Sequence, residues 1–299
     1  MKEKIVIGVD VGGSHISCAA INIETGTILQ KTLISVKISN SEKKNVLLSV
    51  WSQAILDCKK NLPVNSDFLG VGIAIPGPFD YENGIGLYDN SNQKFLDLKN
   101  VNVKEALLEN LALSQHQIKF VNDATAFSLG SYWYGSGKGS EKMVAITLGT
   151  GFGSSFINNG KVIEEGKTVP ENGYLWDQPY KDGIADDYFS TRWFVNNFNN
   201  ISSKKVTGVK QVAEFVKEGD VEAIKLFNEF GQNLAECLTS HLINFNADVV
   251  VMGGNIAEAF ELFKPSLYKK LKDSGLEIPF KISILKESAA MLGAATLFK

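Results

Sequence analysis

Apolar, β-branched residues recur in short runs near 4–10, 16–23 and 27–36, separated by polar and glycine-rich gaps. Three such runs in close succession predict a meander of three strands, with Glu24-Thr25-Gly26-Thr27 turning the second into the third. Helical periodicity follows near 42–61, announced by Asn40-Ser41-Glu42. Strand and helix then alternate: a strand near 68–75, a helix near 103–113 and a strand at 117–121.

The order repeats from Met143. An apolar run, Met143 to Thr147, meets a glycine turn, a returning run reaches Ile157, an Asn159-Gly160 turn follows, and Lys161-Val162-Ile163 closes a second meander. This is an internal duplication. Glu164 to Asp187 reads as an irregular stretch rich in Gly, Pro, Asp and aromatic residues, and long structured loops of that kind are usually functional. Gly219-Asp220 caps a helix from about 221 to 245, in which Ala223, Phe227, Phe230, Leu234 and Leu238 recur at core spacing. A buried strand, Ala247 to Met252, runs into Gly253-Gly254-Asn255 and a new helix; a last strand at 281–285 precedes a small-residue helix at 288–298.

Two glycine stretches sit between paired strands: Asp10-Val11-Gly12-Gly13-Ser14-His15 and Leu148-Gly149-Thr150-Gly151-Phe152-Gly153-Ser154. A strand, a glycine turn and a returning strand let backbone N–H groups approach an anion. Neither is a dinucleotide fingerprint, because the glycines of the second alternate strictly and lead into a strand, not a helix. Gly135-Ser136-Gly137-Lys138-Gly139-Ser140 is no P-loop either, since Tyr132 holds the required upstream glycine position, and it reads as a flexible loop.

At 299 residues with 44% hydrophobic content, the chain holds enough apolar material for one large or two medium cores, and two fits this length better. The formal net charge of -3 and scattered lysines give no footprint for nucleic acid or anionic membrane. Cys18, Cys58 and Cys237 are odd in number and lie nowhere at metal-ligand spacing, which argues against a disulfide framework and for a reducing cytoplasm. No apolar signal core opens the chain, and no run reaches the roughly 18 residues of a membrane span. His15, His116 and His241 read as structural, though His15 borders the first glycine turn.

Taken together, Asp10-Val11-Gly12-Gly13-Ser14, Ile75-Pro76-Gly77-Pro78, Asn122-Asp123-Ala124, Leu148 to Gly153, Pro170-Glu171-Asn172-Gly173, Met252-Gly253-Gly254-Asn255 and Ala290 to Ala295 resemble, in order, the ROK family of sugar kinases and repressors within the actin, hexokinase and acetate-kinase superfamily. The resemblance covers nearly the whole chain. It implies an α/β fold of two actin-like (ribonuclease-H-like) lobes, each with a mixed β-sheet, closing on an interlobe cleft. The small lobe would be 1–120 plus 288–299, and the large lobe 121–287.

By the same resemblance the activity is ATP-dependent phosphorylation of a hexose, foremost glucose to glucose 6-phosphate, with Mg2+ on the nucleotide. Such a transfer needs a carboxylate to accept the hydroxyl proton. Asp123, at the end of an apolar strand and the start of a helix, suits that base; the plainer reading is a helix N-cap, and both roles are compatible. Asp10 suits a water of the nucleotide-bound Mg2+, or simply bonds its own turn. Gly12, Gly13, Ser14, Thr150, Gly151, Gly253 and Gly254 form the expected nucleotide contacts, and Asn122, Asp123 and Glu171 the expected sugar contacts.

The chain departs from the family in three places. The usual Glu-x-Gly-His reads Glu171-Asn172-Gly173-Tyr174, and Trp176-Asp177-Gln178-Pro179-Tyr180 stands where a cysteine-rich zinc segment is usual, so no zinc is expected. Tyr174 is left to donate one hydrogen bond or pack a ring on the sugar. Asp186 matches a second sugar-binding glutamate with a shorter arm. Alternatives are a polyphosphate-using glucokinase, a kinase for another hexose or an N-acetylhexosamine, and a non-catalytic sugar sensor. A DNA-binding repressor is disfavoured because Met1-Lys2-Glu3 precedes the first strand with no helix-turn-helix. The family is commonly dimeric, which leaves a homodimer open.

Overall fold

The computed structural model describes residues 2–89 and 94–299, and the chain divides into two compact units: residues 1–135 with 287–299, and 136–286. In unit 1, β1 (Lys4–Val11), β2 (His15–Asn22), β3 (Thr27–Ile28), β4 (Ile34–Lys37), β5 (Asp67–Ile75) and β8 (Ile118–Asn122) form one sheet. Its order is β3-β2-β1-β5-β8, with β4 also on β2. β1 and β2 are antiparallel, whereas β5 lies parallel to both β1 and β8. β6 (Phe79–Asp80) and β7 (Ile85–Gly86) make a small separate hairpin. The helices are α1 (Lys44–Lys60), α2 (Val103–Leu111), α3 (Asp123–Tyr134) and, from the far end of the chain, α9 (Ser288–Ala295).

The expected third strand, 27–36, is broken. Residues Gln30–Thr32 form a 3-10 turn, and the Thr32 hydroxyl accepts the Ala20 N–H at 2.8 Å while donating to the Leu29 carbonyl at 2.6 Å, replacing ladder bonds with side-chain ones. The α1 entry also differs. Asp97 meets the Lys44 N–H at 3.2 Å, so a distant carboxylate does the capping expected of the Asn40-Ser41-Glu42 segment.

The division between the units falls after Gly135 and not at 120. The reason is α9, whose small residues seat against α3: a Cβ at Gly293 would stand 1.7 Å from the Ala126 carbonyl oxygen, a distance only glycine permits. α3 is thereby tied to unit 1. Cys18 and Cys58, distant in sequence, meet in this core, where their mutual hydrogen bond and burial push the Cys18 thiol upward.

Unit 2 repeats the plan. β9 (Lys142–Leu148), β10 (Phe152–Asn158), β11 (Lys161–Ile163), β14 (Val249–Gly253) and β15 (Phe280–Ile282) lie in the order β11-β10-β9-β14-β15, again an antiparallel meander followed by two parallel strands. The internal duplication is therefore one of topology. β15 is shorter than the 281–285 run predicted. The 164–187 stretch contains a 3-10 turn at Glu171–Gly173, the hairpin β12 (Pro179–Tyr180) and β13 (Gly183–Ile184), and the start of α4 (Ala185–Tyr188). α5 (Thr191–Ile201), α6 (Val209–Lys217), α7 (Val221–Phe245) and α8 (Phe260–Asp273) complete the unit. α7 begins on Asp220, whose side chain accepts the Ala223 N–H at 3.0 Å.

Aromatic packing fixes α4 and α5 to the sheet. Phe189 lies 5.2 Å from the Phe152 ring and 5.8 Å from Phe230 of α7, and Phe194 lies 4.8 Å from Phe230. Fully burying a ring of this kind contributes about 1.5–3 kcal/mol, enough to hold the α4–α5 joint beside the start of β10.

Candidate active site

The first glycine turn joins β1 to β2. The Gly12 N–H donates to the His15 carbonyl at 2.9 Å, and the carbonyls of Gly13 and Ser14 accept from Asn40 and Ile38. Among the described residues, the N–H groups of Gly13 and Ser14 donate to no protein acceptor. The second turn, between β9 and β10, has the same character. The Gly149 N–H closes on the Gly151 carbonyl at 3.1 Å and the Phe152 N–H is taken by Asp186, while the N–H groups of Thr150 and Gly151 have no protein acceptor among the described residues. Adjacent donors left unpaired in a turn make a concavity suited to an anion.

Gly253 ends β14 opposite Thr147, and Gly254 follows with φ +85°. A Cβ on Gly254 would stand 2.3 Å from the Leu148 carbonyl oxygen, and the same carbonyl accepts the Ile256 N–H at 3.0 Å. The Gly253-Gly254 turn therefore lies against the second glycine turn. Thr150, Gly151, Gly253 and Gly254 form one group in unit 2.

In unit 1, β8 ends where α3 begins. Asn122 is the N-cap: its Oδ1 accepts the N–H groups of Ala124 at 3.0 Å and Thr125 at 3.3 Å. Asp123 is the first helical residue, and its Oδ1 accepts the Ala124 N–H at 2.9 Å. The cap thus falls on Asn122, which takes two helix N–H groups, while Asp123 shares only that of Ala124. The Asn122 amide also donates to the Tyr81 hydroxyl at 3.1 Å, and Tyr81 donates in turn to the Ile75 carbonyl at 3.3 Å. Tyr88 bonds the next carbonyl, Pro76, at 2.7 Å, so the Ile75-Pro76-Gly77-Pro78 turn is held from two sides.

Asp123 keeps an exposed surface, yet the protein around it displaces enough water to raise its carboxyl above the ordinary range, against the pull of the Ala124 N–H and Lys94. Asp10, near the end of β1, is pushed up to about 7, chiefly by burial and then by the charges of Asp123 and Glu287. Glu287 stands immediately before α9, so the close seating of that helix brings a residue from the far end of the sequence to this group. Sequence reasoning did not find Glu287, Tyr81 or Lys94, and no local pattern marks them.

The residues expected at the sugar divide between units. Asn122 and Asp123 belong to unit 1; Glu171, Tyr174 and Asp186 belong to unit 2. Glu171 is exposed on its 3-10 turn, and the Tyr174 N–H donates to the Glu171 carbonyl at 3.1 Å. Ser154 of β10 pins this loop: its hydroxyl donates to the Gly173 carbonyl and accepts the Leu175 N–H, each at 2.8 Å. Asp186 is different. Its Oδ1 accepts the Phe152 N–H at 2.7 Å and its Oδ2 pairs with Arg192 at 2.5 Å, so both oxygens are engaged inside unit 2. Among the described residues no three His, Cys, Asp or Glu side chains form a metal cage, and no helix is long and apolar enough to cross a membrane.

Twin α/β units with duplicated meanders, open glycine turns and an Asn-Asp pair at a strand-to-helix junction define a sugar kinase with the actin-like fold. The chain belongs to the ROK family, whose model matches residues 6–299. It is 28% identical to a glucokinase of Thermotoga maritima over 100% of this chain and 98% of the relative. It is 23% identical to an N-acetyl-D-glucosamine kinase of Haemophilus influenzae, over 97% of this chain and 98% of the relative. The crystal structure of a ROK family glucokinase from Streptomyces griseus in complex with glucose and AMPPNP matches it with a TM-score of 0.74 at 21% identity, covering 98% of each chain.

Proposed function

We propose that the protein transfers the γ-phosphoryl group of ATP to a hexose, with glucose as the leading substrate and glucose 6-phosphate as product, in the cytoplasm. The observation that carries this reading is the division of labour at the β8–α3 junction. Asn122 takes the cap, so Asp123 is positioned by the Ala124 N–H with a raised carboxyl, the state a general base needs to accept a hydroxyl proton during in-line transfer. The Asn122 amide, oriented by its bond to Tyr81, lies beside Asp123 and suits a sugar oxygen. Glu171 and Tyr174 are the sugar contacts that the family resemblance implies for unit 2. Each glycine turn by itself suits a phosphate, through the open N–H groups of Gly13 and Ser14 in unit 1 and of Thr150 and Gly151 in unit 2, and within unit 2 Gly253 and Gly254 let a nucleotide approach.

Among the described residues no three carboxylates cage a metal ion, so a divalent cation here would ride on the nucleotide and meet Asp10 alone. Asp10 is held up to about 7 partly by the neighbouring negative charges of Asp123 and Glu287, a repulsion that a cation relieves. Asp10 would hold Mg2+ through its waters, and the ion would supply charge neutralisation on the phosphates.

A second acceptor class has its own support. The N-acetyl-D-glucosamine kinase relative spans nearly the full chain, and the exposed Glu171 loop is where acceptor shape would be read. The test is a coupled assay of ADP release from Mg-ATP with glucose, mannose, fructose and N-acetylglucosamine, repeated with polyphosphate as donor. Glucose is expected to give the highest kcat/KM and ATP to exceed polyphosphate. A preference for N-acetylglucosamine would move the acceptor, and absence of turnover with every pair would contradict the kinase reading.

A further inference from the structure

Segment 186–192 grips both sides of the second glycine turn. On one side Asp186 Oδ1 takes the Phe152 N–H at 2.7 Å; on the other the N–H and hydroxyl of Thr191 both donate to the Gly149 carbonyl, at 2.8 and 2.9 Å. A Cβ placed on Gly151 would stand 3.0 Å from Asp186 Oδ1, so the carboxylate lies directly against the turn. Its second oxygen holds Arg192 at 2.5 Å. The Asp186 side chain is 19% exposed and that of Arg192 59%, which leaves the guanidinium accessible while the carboxylate is largely enclosed.

Composition makes this pairing informative. Arg192 is the only arginine among the 30 Lys and Arg residues of the chain. Every other fixed cation is an ammonium, a hydrated point charge on a flexible stem. The single planar guanidinium stands where one N–H edge meets a carboxylate that is itself bonded to the turn. A surface ion pair contributes little to stability, so thermodynamic support of the fold is a weak reason for the arrangement. Precise placement of four consecutive backbone groups, Gly149 to Phe152, is a stronger one.

We propose that Asp186 and Arg192 are a positioning pair for the phosphoryl-donor turn, and that Asp186 in this chain does not contact the sugar. The inference rests on the kinase reading. Asp186 fixes the Phe152 N–H, Arg192 fixes the Asp186 carboxylate, and the N–H groups of Thr150 and Gly151 are thereby set for donor phosphate. The shorter aspartate arm, which reaches less far towards a sugar, suits a carboxylate turned to the glycine turn.

The test uses Asp186→Asn and Arg192→Lys in the full chain, with calorimetric binding of Mg-AMPPNP and of glucose measured separately, and amide hydrogen exchange at Phe152 in the free protein. Asp186→Asn keeps the shape and Arg192→Lys the charge, so both variants are expected to fold with thermal midpoints near that of wild type. The expected result is AMPPNP affinity weakened about tenfold in both, glucose affinity within about twofold, and faster exchange at Phe152. Weakened glucose binding with unchanged AMPPNP binding would overturn the proposal and restore Asp186 to the sugar. Unchanged exchange at Phe152 in both variants would overturn the clamp itself. Wild-type protein that binds neither ligand would overturn the kinase reading and, with it, the pair's assignment to a phosphoryl donor, while the exchange data would still decide whether the clamp exists.

Discussion

The side-chain amide of Asn122 donates to the hydroxyl of Tyr81 at 3.1 Å while its carbonyl oxygen caps α3. These two bonds fix which end of the amide faces the helix and which faces away, so a residue from the β6–β7 region sets the orientation of a proposed sugar contact. Tyr81→Phe removes the acceptor without changing ring packing on Phe79. The expected outcome is a loss of about 1 kcal/mol of stability and a several-fold rise in the KM for hexose with the KM for ATP unchanged, read from steady-state kinetics and urea midpoints.

Asp10 makes stability fall with pH. Its folded-state value is raised from 3.8 to about 7, so between those limits the folded protein keeps a proton that the unfolded chain has lost. Its contribution is present below about pH 4 and is lost as pH rises to about 7. Asp10→Asn removes the titration. Urea midpoints at pH 5 and pH 8 are expected to converge in this variant, which should be more stable than wild type at pH 8 by about 1–3 kcal/mol and bind Mg-AMPPNP more weakly.

Gly254 tolerates no side chain. Its φ of +85° and the 2.3 Å separation of a Cβ from the Leu148 carbonyl oxygen put strain and a backbone clash at one position. Gly254→Ala should cost about 2–4 kcal/mol. Because Leu148 precedes the second glycine turn, AMPPNP affinity should fall further than glucose affinity when both are measured well below the unfolding temperature.

The meanders were legible because β-branched runs and glycine turns recur locally, and the capping of α7 by Asp220 was legible because Asp lies immediately before a helical period. What escaped was set by contacts across the sequence. Thr32 splits the third strand through a bond to Ala20, and α9 brings Glu287 to Asp10. The pairing of Asp186 with Arg192 runs across the junction of two helices, whose relative direction no periodicity records. The cap of α3 illustrates the grain of the limit. Motif and spacing mark the Asn-Asp pair, but how the two share the helix N–H groups depends on where β8 ends, a one-residue distinction.

The central claim is that Asp123 accepts the hydroxyl proton in a hexose kinase, and the most direct measurement is kcat for glucose 6-phosphate formation from saturating glucose and Mg-ATP, for wild type and Asp123→Asn across pH 5 to 9. With its carboxyl raised above the ordinary range by loss of water, wild-type kcat should climb as rising pH ionises the group and then level. The variant should lose about 10²- to 10⁴-fold and show no such rise, while still binding AMPPNP. A variant with near wild-type kcat and the same pH profile would contradict the account.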